Sequence, residues 1–267
     1  MYKRKTTTLT QSLLLATLLS NIFIVSACSA ESSNTPALSS RSTPAETYEL
    51  GLGYYEGNSV PEDDNKAFEL FEKSANQGYA PAKHHIGIMY YEVIGVDQDY
   101  RKAFEWVQRA AKQGYIHAQT DLAIMYESGK GVDQNYEKAM QWYLLSANNM
   151  DSSSASVDAQ GNIGTMYYFG RGVPQSYTKA LEWYKKAATQ DLDIAQLNIG
   201  GLYENGYGVP QDYDKAFEWY QKAADQGNQE AINRIGKLVM DGKIDDKDIV
   251  IYSTQETGFT LGDIESN

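Results

Sequence analysis

The chain has 267 residues, a length that suits one or two globular domains, and it carries 35 Asp and Glu against 23 Lys and Arg, a net charge of −12. This acidity argues against nucleic-acid binding, because neutralisation of phosphates by basic side chains supplies most of that affinity. It is compatible with a basic protein partner, or with solubility alone. The single cysteine, Cys28, excludes an intrachain disulfide bond and a cysteine-based metal cluster.

The N-terminal segment has the three parts of a secretory signal peptide. Residues 3–5 are all basic, residues 13–25 are almost wholly apolar, and the small residues Ser26 and Ala27 follow. The apolar run is short for a membrane span, which needs about 20 residues. We therefore predict a signal peptide over residues 1–27. Its removal leaves 20 Lys and Arg against 35 Asp and Glu, a net charge of −15.

The predicted cut site also resembles the lipobox of bacterial lipoproteins, because the run ends in Val25-Ser26-Ala27-Cys28. The resemblance implies a lipoprotein-type signal, a diacylglyceryl group on the thiol of Cys28, and acylation of its new amine. Several acyl chains anchor a protein stably where one does not. Ser29, in place of Asp, resembles the Gram-negative pattern for outer-membrane sorting. We expect a lipid-anchored envelope protein at the outer membrane, facing the periplasm; an ordinary signal peptide with a chance cysteine is the alternative.

The segment after Cys28 is rich in Ser, Thr and Pro and has few side chains that a fold would bury. Such a composition is typical of a flexible linker. We predict that residues 28–46 form a lipid-anchored disordered linker.

A signature of the form Lys-Ala-x-x-Trp then recurs, and the first copy has Leu70 in place of Trp. Its lysines are 36, 36, 41 and 36 residues apart. A fixed period in this range predicts a helical solenoid, in which each unit leans on its neighbours. The five lysines are Lys66, Lys102, Lys138, Lys179 and Lys215.

Each unit is predicted to contain two helices. The first carries Ala, then Leu or Ile, then Tyr at four-residue spacing, so that they share one face, as Ala195, Ile199 and Tyr203 do. A glycine beside the Leu or Ile indicates a close approach of helices, and paired glycines after the first helix predict a turn with positive φ. The second helix is predicted to start at a good N-cap residue. These N-cap residues are Asp63, Asp99, Asn135, Ser176 and Asp212.

Together these features resemble the Sel-1-like repeat family, a relative of the tetratricopeptide repeat, with Ala195 to Gly227 the best single copy. The resemblance implies an all-α fold, a right-handed α-α superhelix of helix pairs whose first helices line a concave groove. We expect five full repeats and a terminal helix over residues 47–242, and a C-terminal tail over 243–267. Five extra residues within 148–158 are expected to form a surface loop, or a loop that contacts a partner.

No catalytic, metal or cofactor site is predicted. His84 and His85 are adjacent on a helix and point about 100° apart, so they do not chelate a metal by themselves. No nucleophile motif accompanies them or His117. We predict that the protein is not an enzyme. Some members of the family are described as β-lactam hydrolases rich in paired cysteines, so a β-lactamase-like hydrolase on a repeat scaffold is the alternative interpretation.

The contact surface for a partner is predicted on the first helices, at the position before the buried Leu or Ile. The side chains at this position are polar in all six units: Glu49, His85, Asp121, Asn162, Asn198 and Arg234. Such a row can hydrogen-bond an extended peptide or a loop, although simple solvation would also explain it. We predict a protein–protein interaction module, either an envelope adaptor or scaffold or an immunity protein that binds a secreted toxin. The expected partner is another protein, a basic toxin or an envelope component, and not a nucleic acid or a small-molecule substrate.

Overall fold

The computed structural model describes residues 42–58, 60–149 and 153–244, and within them it shows eleven helices and no strand. The predictions for the signal peptide, for Cys28, for most of the linker and for most of the tail fall outside these residues. The chain divides into two compact units, which we call the N-terminal unit, Met1–Ala159, and the C-terminal unit, Gln160–Asn267. The predicted all-α class is confirmed, because both units consist of helix pairs.

The N-terminal unit contains six complete helices and the start of a seventh, and among the first six, helices that follow each other in the chain pack together. They are α1 Pro44–Glu56, α2 Asp64–Asn76, α3 Ala80–Glu92, α4 Tyr100–Lys112, α5 Ile116–Ser128, α6 Tyr136–Ala147 and α7 Ser154–Phe169. The odd-numbered helices are the first helices of the predicted pairs.

The C-terminal unit contains the rest of α7 and four further helices. They are α8 Tyr177–Ala188, α9 Asp193–Asn205, α10 Tyr213–Asp225 and α11 Gln229–Met240. Its core includes Tyr220, Leu238 and Ile244, so the second residue of the predicted tail is part of the core of this unit. Among the residues that the structure describes, no helix is both long and apolar enough to cross a membrane.

The recurring lysine makes a backbone contact in all five pairs and a side-chain contact in four of them. Its backbone N–H donates to the side chain of the predicted N-cap residue, so all five predicted N-caps are confirmed. In four pairs its ammonium group also lies over the tyrosine ring of the preceding helix, 5.1 to 5.7 Å from the ring centroid. Such a cation–π contact is worth about 0.5–1 kcal/mol at an exposed site. The Lys-Ala-x-x-Trp signature therefore joins the two helices of a pair.

The recurring glycine of the first helices makes room for a large side chain. A Cβ atom on Gly164 or Gly200 would lie 2.6 or 2.5 Å from the ring of Tyr184 or Tyr220. A Cβ on Gly87 would lie 2.6 Å from the side chain of Val107. The prediction of a close helix approach is confirmed, and the residues that cause it lie one position after the tryptophan of each signature.

Two boundaries differ from the predictions. Helix α1 begins at Pro44, inside the predicted linker of residues 28–46, because Thr43 and Glu46 form a capping box in which each side chain accepts from the other's backbone N–H. The inserted residues are also not simply a surface loop, since α7 begins at Ser154 and buries Ala155, Ser156 and Val157. Ala155 is held by the Thr120 hydroxyl group, which donates to its carbonyl oxygen at 3.0 Å and lies 2.7 Å from the Ser146 hydroxyl group. These boundaries depend on contacts that the repeat period does not encode.

Candidate functional site

The six residues predicted to face a partner do not form one exposed row. In the N-terminal unit, Glu49 is exposed, whereas His85 and Asp121 are only 4% and 5% exposed. In the C-terminal unit, Asn162, Asn198 and Arg234 are partly exposed, and Arg234 forms ion pairs with Glu204 and Glu230. The expectation that His85 and Asp121 contact a partner does not hold, because their side chains are enclosed by neighbouring helices.

The two enclosed residues belong to a buried polar cluster that links α1, α3 and α5. Asp121 Oδ2 lies 2.6 Å from Nε2 of the buried His84. His85 Nδ1 lies 3.2 Å from the Tyr48 hydroxyl and 3.2 Å from the Pro81 carbonyl oxygen. The second ring nitrogens, His84 Nδ1 and His85 Nε2, are buried and have no hydrogen-bond partner in the part of the chain that the structure describes.

Burial keeps the His85 side chain of this cluster in its neutral form. Desolvation, with the charge of His84, lowers the pKa of His85 to about 3. Desolvation also lowers the pKa of His117, whose ring centroid lies 6.3 Å from that of His84. No group of three or more His, Cys, Asp or Glu side chains among the described residues is arranged to hold a metal ion. The arrangement ties three first helices together.

A series of side-chain bridges occurs in both units, where one repeat meets the next. The residue after the recurring alanine of a first helix bonds a glutamine 30 residues later, just after the following second helix. Gln190 Nε2 donates to Gln160 Oε1 at 3.0 Å, and Gln226 Nε2 donates to Gln196 Oε1 at 2.9 Å. In the N-terminal unit, Lys83 Nζ donates to Gln113 Oε1 at 2.9 Å. We call these contacts junction bridges.

The Lys83–Gln113 bridge also includes a backbone carbonyl. Gln113 Nε2 donates to the Gly78 carbonyl oxygen at 3.0 Å, and Lys83 Nζ reaches the same oxygen at 3.4 Å. Gly78 follows the end of α2 with a φ of 97°, a left-handed conformation that suits glycine. Three groups from successive elements therefore close this junction.

The next junction in the N-terminal unit has no such bridge. The repeat period places Gly114, Gln119 and Asn149 at the positions of Gly78, Lys83 and Gln113. Asn149 is one methylene shorter than glutamine, and no hydrogen bond joins it to Gln119. Gln119 is 8% exposed, and its Oε1 has no hydrogen-bond partner in the part of the chain that is described. An unpaired buried carbonyl oxygen costs about 1–3 kcal/mol, so a hydrogen-bond donor that reached Gln119 Oε1 would stabilise this junction.

An open cavity of about 610 Å³ occupies this unbridged junction. Its lining combines amide groups with two leucines of α6, and Leu145 is 54% exposed. The volume lies in the range of ordinary ligand-binding clefts. The cavity is lined by Gly114, Gln119, Gln141, Leu144, Leu145, Asn148 and Asn149. We call it the junction pocket.

The sequence contains a signal for this site that the periodicity analysis did not use. At the position of Asn149 the other four repeats have Gln, and at the position of Gln141 they have Glu. Leu144 and Leu145 stand where three other repeats have Gln-Arg, Lys-Lys and Gln-Lys. In the third repeat, residues 139–147 of α6 therefore include no charged side chain. The corresponding segment of every other repeat includes both acidic and basic side chains. An alignment of the repeats against each other would have singled out this face.

The helix pairs, their caps and the period of 36 residues define a helical repeat protein of a kind typical of protein–protein interaction. The model of the Sel1 repeat matches five segments, at residues 47–79, 80–115, 116–149, 157–192 and 193–228. The chain belongs to the Sel1 repeat family. The five predicted repeats are confirmed.

Solved structures agree with this assignment. A Sel1 repeat protein from Oxalobacter formigenes is 32% identical with a TM-score of 0.67, and the match covers 73% of this chain and 78% of that chain. The antigen c5321 of uropathogenic Escherichia coli, described as a protective antigen with an SLR fold, is 32% identical with a TM-score of 0.68. That match covers 76% of this chain but only 43% of the antigen.

More distant likenesses support no statement about function. The immunity protein Pa5087 of Pseudomonas aeruginosa is 20% identical with a TM-score of 0.46, over 73% of this chain and 70% of that chain. No curated protein matched the sequence.

Proposed function

We propose that this protein is a protein-binding scaffold of the cell envelope, anchored by lipid at Cys28, and that it docks a basic partner on its N-terminal unit. Sel1 repeats supply the scaffold, and the distribution of charge supports the choice of surface. The described part of the N-terminal unit carries seventeen Asp and Glu against nine Lys and Arg, a net charge of −8. The described part of the C-terminal unit carries ten against nine, a net charge of −1.

The excess of acid is concentrated at the turns between the two helices of a pair. Asp97 and Asp133 occupy positions where the C-terminal unit has Pro174 and Pro210. Tyr55 lies in the last turn of α1, and its pKa is raised to about 12 by burial and then by four surrounding carboxylates. Those carboxylates belong to Asp64, Glu92, Glu56 and Glu62. A negative potential of this kind accelerates association with a basic partner and selects against an acidic one.

The test of this proposal compares two charge reversals of equal size in the full chain. The first variant combines Glu62→Lys, Asp97→Lys and Asp133→Lys in the N-terminal unit. The second combines Glu182→Lys, Glu218→Lys and Asp225→Lys in the C-terminal unit. All six side chains are exposed, so both variants are expected to fold.

A partner is first captured by the tagged full chain from solubilised envelopes of the source organism and is then purified for binding measurements. At low salt, we expect the first variant to bind at least about tenfold more weakly and the second to bind like the wild type, since screening is weakest there. Equal losses in the two variants, or the absence of any saturable partner, would refute the proposal.

The anchor is tested separately by Cys28→Ala. We expect the variant to leave the membrane fraction, because the acyl chains are proposed to supply the attachment. Retention of the variant in that fraction to the wild-type extent would show that lipid at Cys28 is not the anchor.

An envelope adaptor and an immunity protein would both use this surface. Co-expression with the captured partner separates them, since an immunity protein abolishes the toxicity of its partner and an adaptor has no toxicity to abolish. The hydrolase alternative has no observation in its favour among the described residues.

A further inference from the structure

We infer that the junction pocket is a second, uncharged binding site, which takes a partner segment carrying a glutamine side chain next to an apolar side chain. The inference deepens the proposed function, because it adds a specificity site to the scaffold. It rests on the difference between the bridged junctions and the unbridged one. The acidic turns are not involved.

The structure itself shows which group the pocket lacks. In the two glutamine–glutamine bridges of the C-terminal unit, the Oε1 atom of a first-helix glutamine accepts from the Nε2 atom of another glutamine. Gln119 offers the same Oε1 atom from the same helical position, and this atom is buried and unpaired. A carboxamide N–H from a partner would satisfy it in the geometry that the chain already uses twice. The Gly78 carbonyl accepts the same type of N–H at the bridged junction, and Gly114 is its counterpart in the pocket.

The apolar part of the pocket also differs from the other repeats, because it lacks the cationic side chain that the others have at the same position. Arg109, Lys186 and Lys222 occupy the position of Leu145, and their cationic groups lie 3.7 to 4.7 Å from the ring centroids of the tryptophans before them. Leu145 places no charge there and leaves an exposed aliphatic side chain beside Leu144. Burial of a leucine side chain is favourable by about 1.5–3 kcal/mol when a complementary apolar surface covers it. An apolar neighbour of the glutamine supplies that surface.

The absence of charge selects among partners of the scaffold. A glutamate in place of the partner's glutamine would bring a carboxylate against Gln119 Oε1, and two acceptors cannot share a hydrogen bond. A lysine would lose hydration in a pocket that has no carboxylate in its lining. The pocket therefore favours a neutral segment, in contrast to the acidic turns of the same unit.

The test uses three synthetic peptides, acetylated and amidated, with the sequences Gly-Leu-Gln-Leu-Gly, Gly-Leu-Glu-Leu-Gly and Gly-Ser-Gln-Ser-Gly. Each is titrated into the full-length protein and followed by ligand-observed NMR. Asn149→Gln lengthens the side chain that should bridge to Gln119, so that the protein fills its own pocket. Leu145→Arg restores the residue type of the other repeats. Both positions are exposed, so both variants are expected to fold, and circular dichroism checks this.

We expect saturable binding of the first peptide to the wild type, and binding at least about tenfold weaker for the other two peptides and for both variants, the loss that follows from one hydrogen bond or one apolar contact. Equal binding by the wild type and Asn149→Gln, or no saturable binding of the first peptide, would overturn the inference. The captured partner distinguishes the two proposals. If it binds Asn149→Gln normally but not the triple reversal in the N-terminal unit, the pocket is excluded and the acidic docking surface stands.

Discussion

Helices α3 and α5 hold equivalent places in successive repeats of the N-terminal unit, yet they form their junctions differently. Lys83 of α3 closes its junction by bonding Gln113, whereas Gln119 of α5 leaves its carbonyl oxygen unpaired. His84 pairs with Asp121, and Thr120, its own counterpart on α5, instead bonds Ser146 and the Ala155 carbonyl. The repeat thus fixes the backbone, while single side chains decide whether a junction is sealed or available to a partner.

The largest expected effect concerns His85, which is buried on α3 where α5 has Asp121. Its pKa is near 3 in the folded protein and near 6.5 when unfolded, so the unfolded chain binds a proton between these values and the folded chain does not. The free energy of unfolding should therefore fall as the pH drops from 6.5 towards 3, by as much as roughly 4 to 5 kcal/mol. Urea denaturation at several pH values, for the wild type and for His85→Phe, measures this contribution.

The variant removes the titrating group and cancels effects common to both proteins, such as protonation of carboxylates. Parallel stability curves for the two proteins between pH 6.5 and 4 would mean that His85 is not held neutral by burial.

The hydroxyl network that stabilises the unbridged junction is expected to contribute next. Thr120→Val keeps the shape of the side chain but deprives the Ala155 carbonyl of its 3.0 Å donor and Ser146 of its 2.7 Å partner. A loss of about 1–3 kcal/mol in the free energy of unfolding is expected, because these groups are buried. Thr178→Val, at an exposed position, is the matched control. Similar small changes for both variants would show that the network does not hold α7 in place.

Gly87 of α3 and Ala123 of α5 occupy equivalent positions. Replacing each by the other residue type is expected to change the free energy of unfolding by smaller amounts. Gly87→Ala would place a Cβ 2.6 Å from Val107, so we expect a loss of about 1–3 kcal/mol from overpacking. Combination with Val107→Ala should recover part of it. Ala123→Gly on α5 should cost only about 1 kcal/mol, the intrinsic penalty for glycine in a helix. Thermal denaturation of the three variants tests this order, and a neutral Gly87→Ala would contradict the close approach.

The smallest changes in the free energy of unfolding are expected when residue 149 or residue 113 is replaced by the residue found at the other junction. Asn149→Gln should raise the free energy of unfolding by about 0.5–1.5 kcal/mol, since it pairs Gln119 Oε1. Gln113→Asn should lower it by a similar amount, because it breaks the bridge to Lys83 and Gly78. Urea denaturation of both variants measures the exchange. Changes of the same sign would show that the bridges are not what distinguishes the junctions.

The features that the sequence predicted well are local. N-caps, paired glycines and the glycine opposite a large side chain depend on residues within one helix pair, so each repeat encodes them separately. The burial of His85 and Asp121 was not predictable from their helical position, since it depends on Tyr48 and His84, each 37 residues from the residue that it contacts. The polar identity of a position indicates solvent only when no partner lies across the junction.

The junction pocket shows the same limit. Its opening follows from Asn149 lying 30 residues from Gln119, a pairing that becomes visible only when bridged junctions supply the register. The helical start of α7 was missed because the inserted residues contain Ser and Asp, which are typical of loops, although their burial against Thr120 and Ser146 stabilises a helix.

Crystal structures of the wild type and of Asn149→Gln test most directly the claim that one shortened side chain opens the junction pocket. In the variant, the new carboxamide nitrogen should lie about 2.9 Å from Gln119 Oε1 and close the cavity, whereas the wild-type cavity stays open. A variant whose side chain points into solvent above an unchanged cavity would contradict the account.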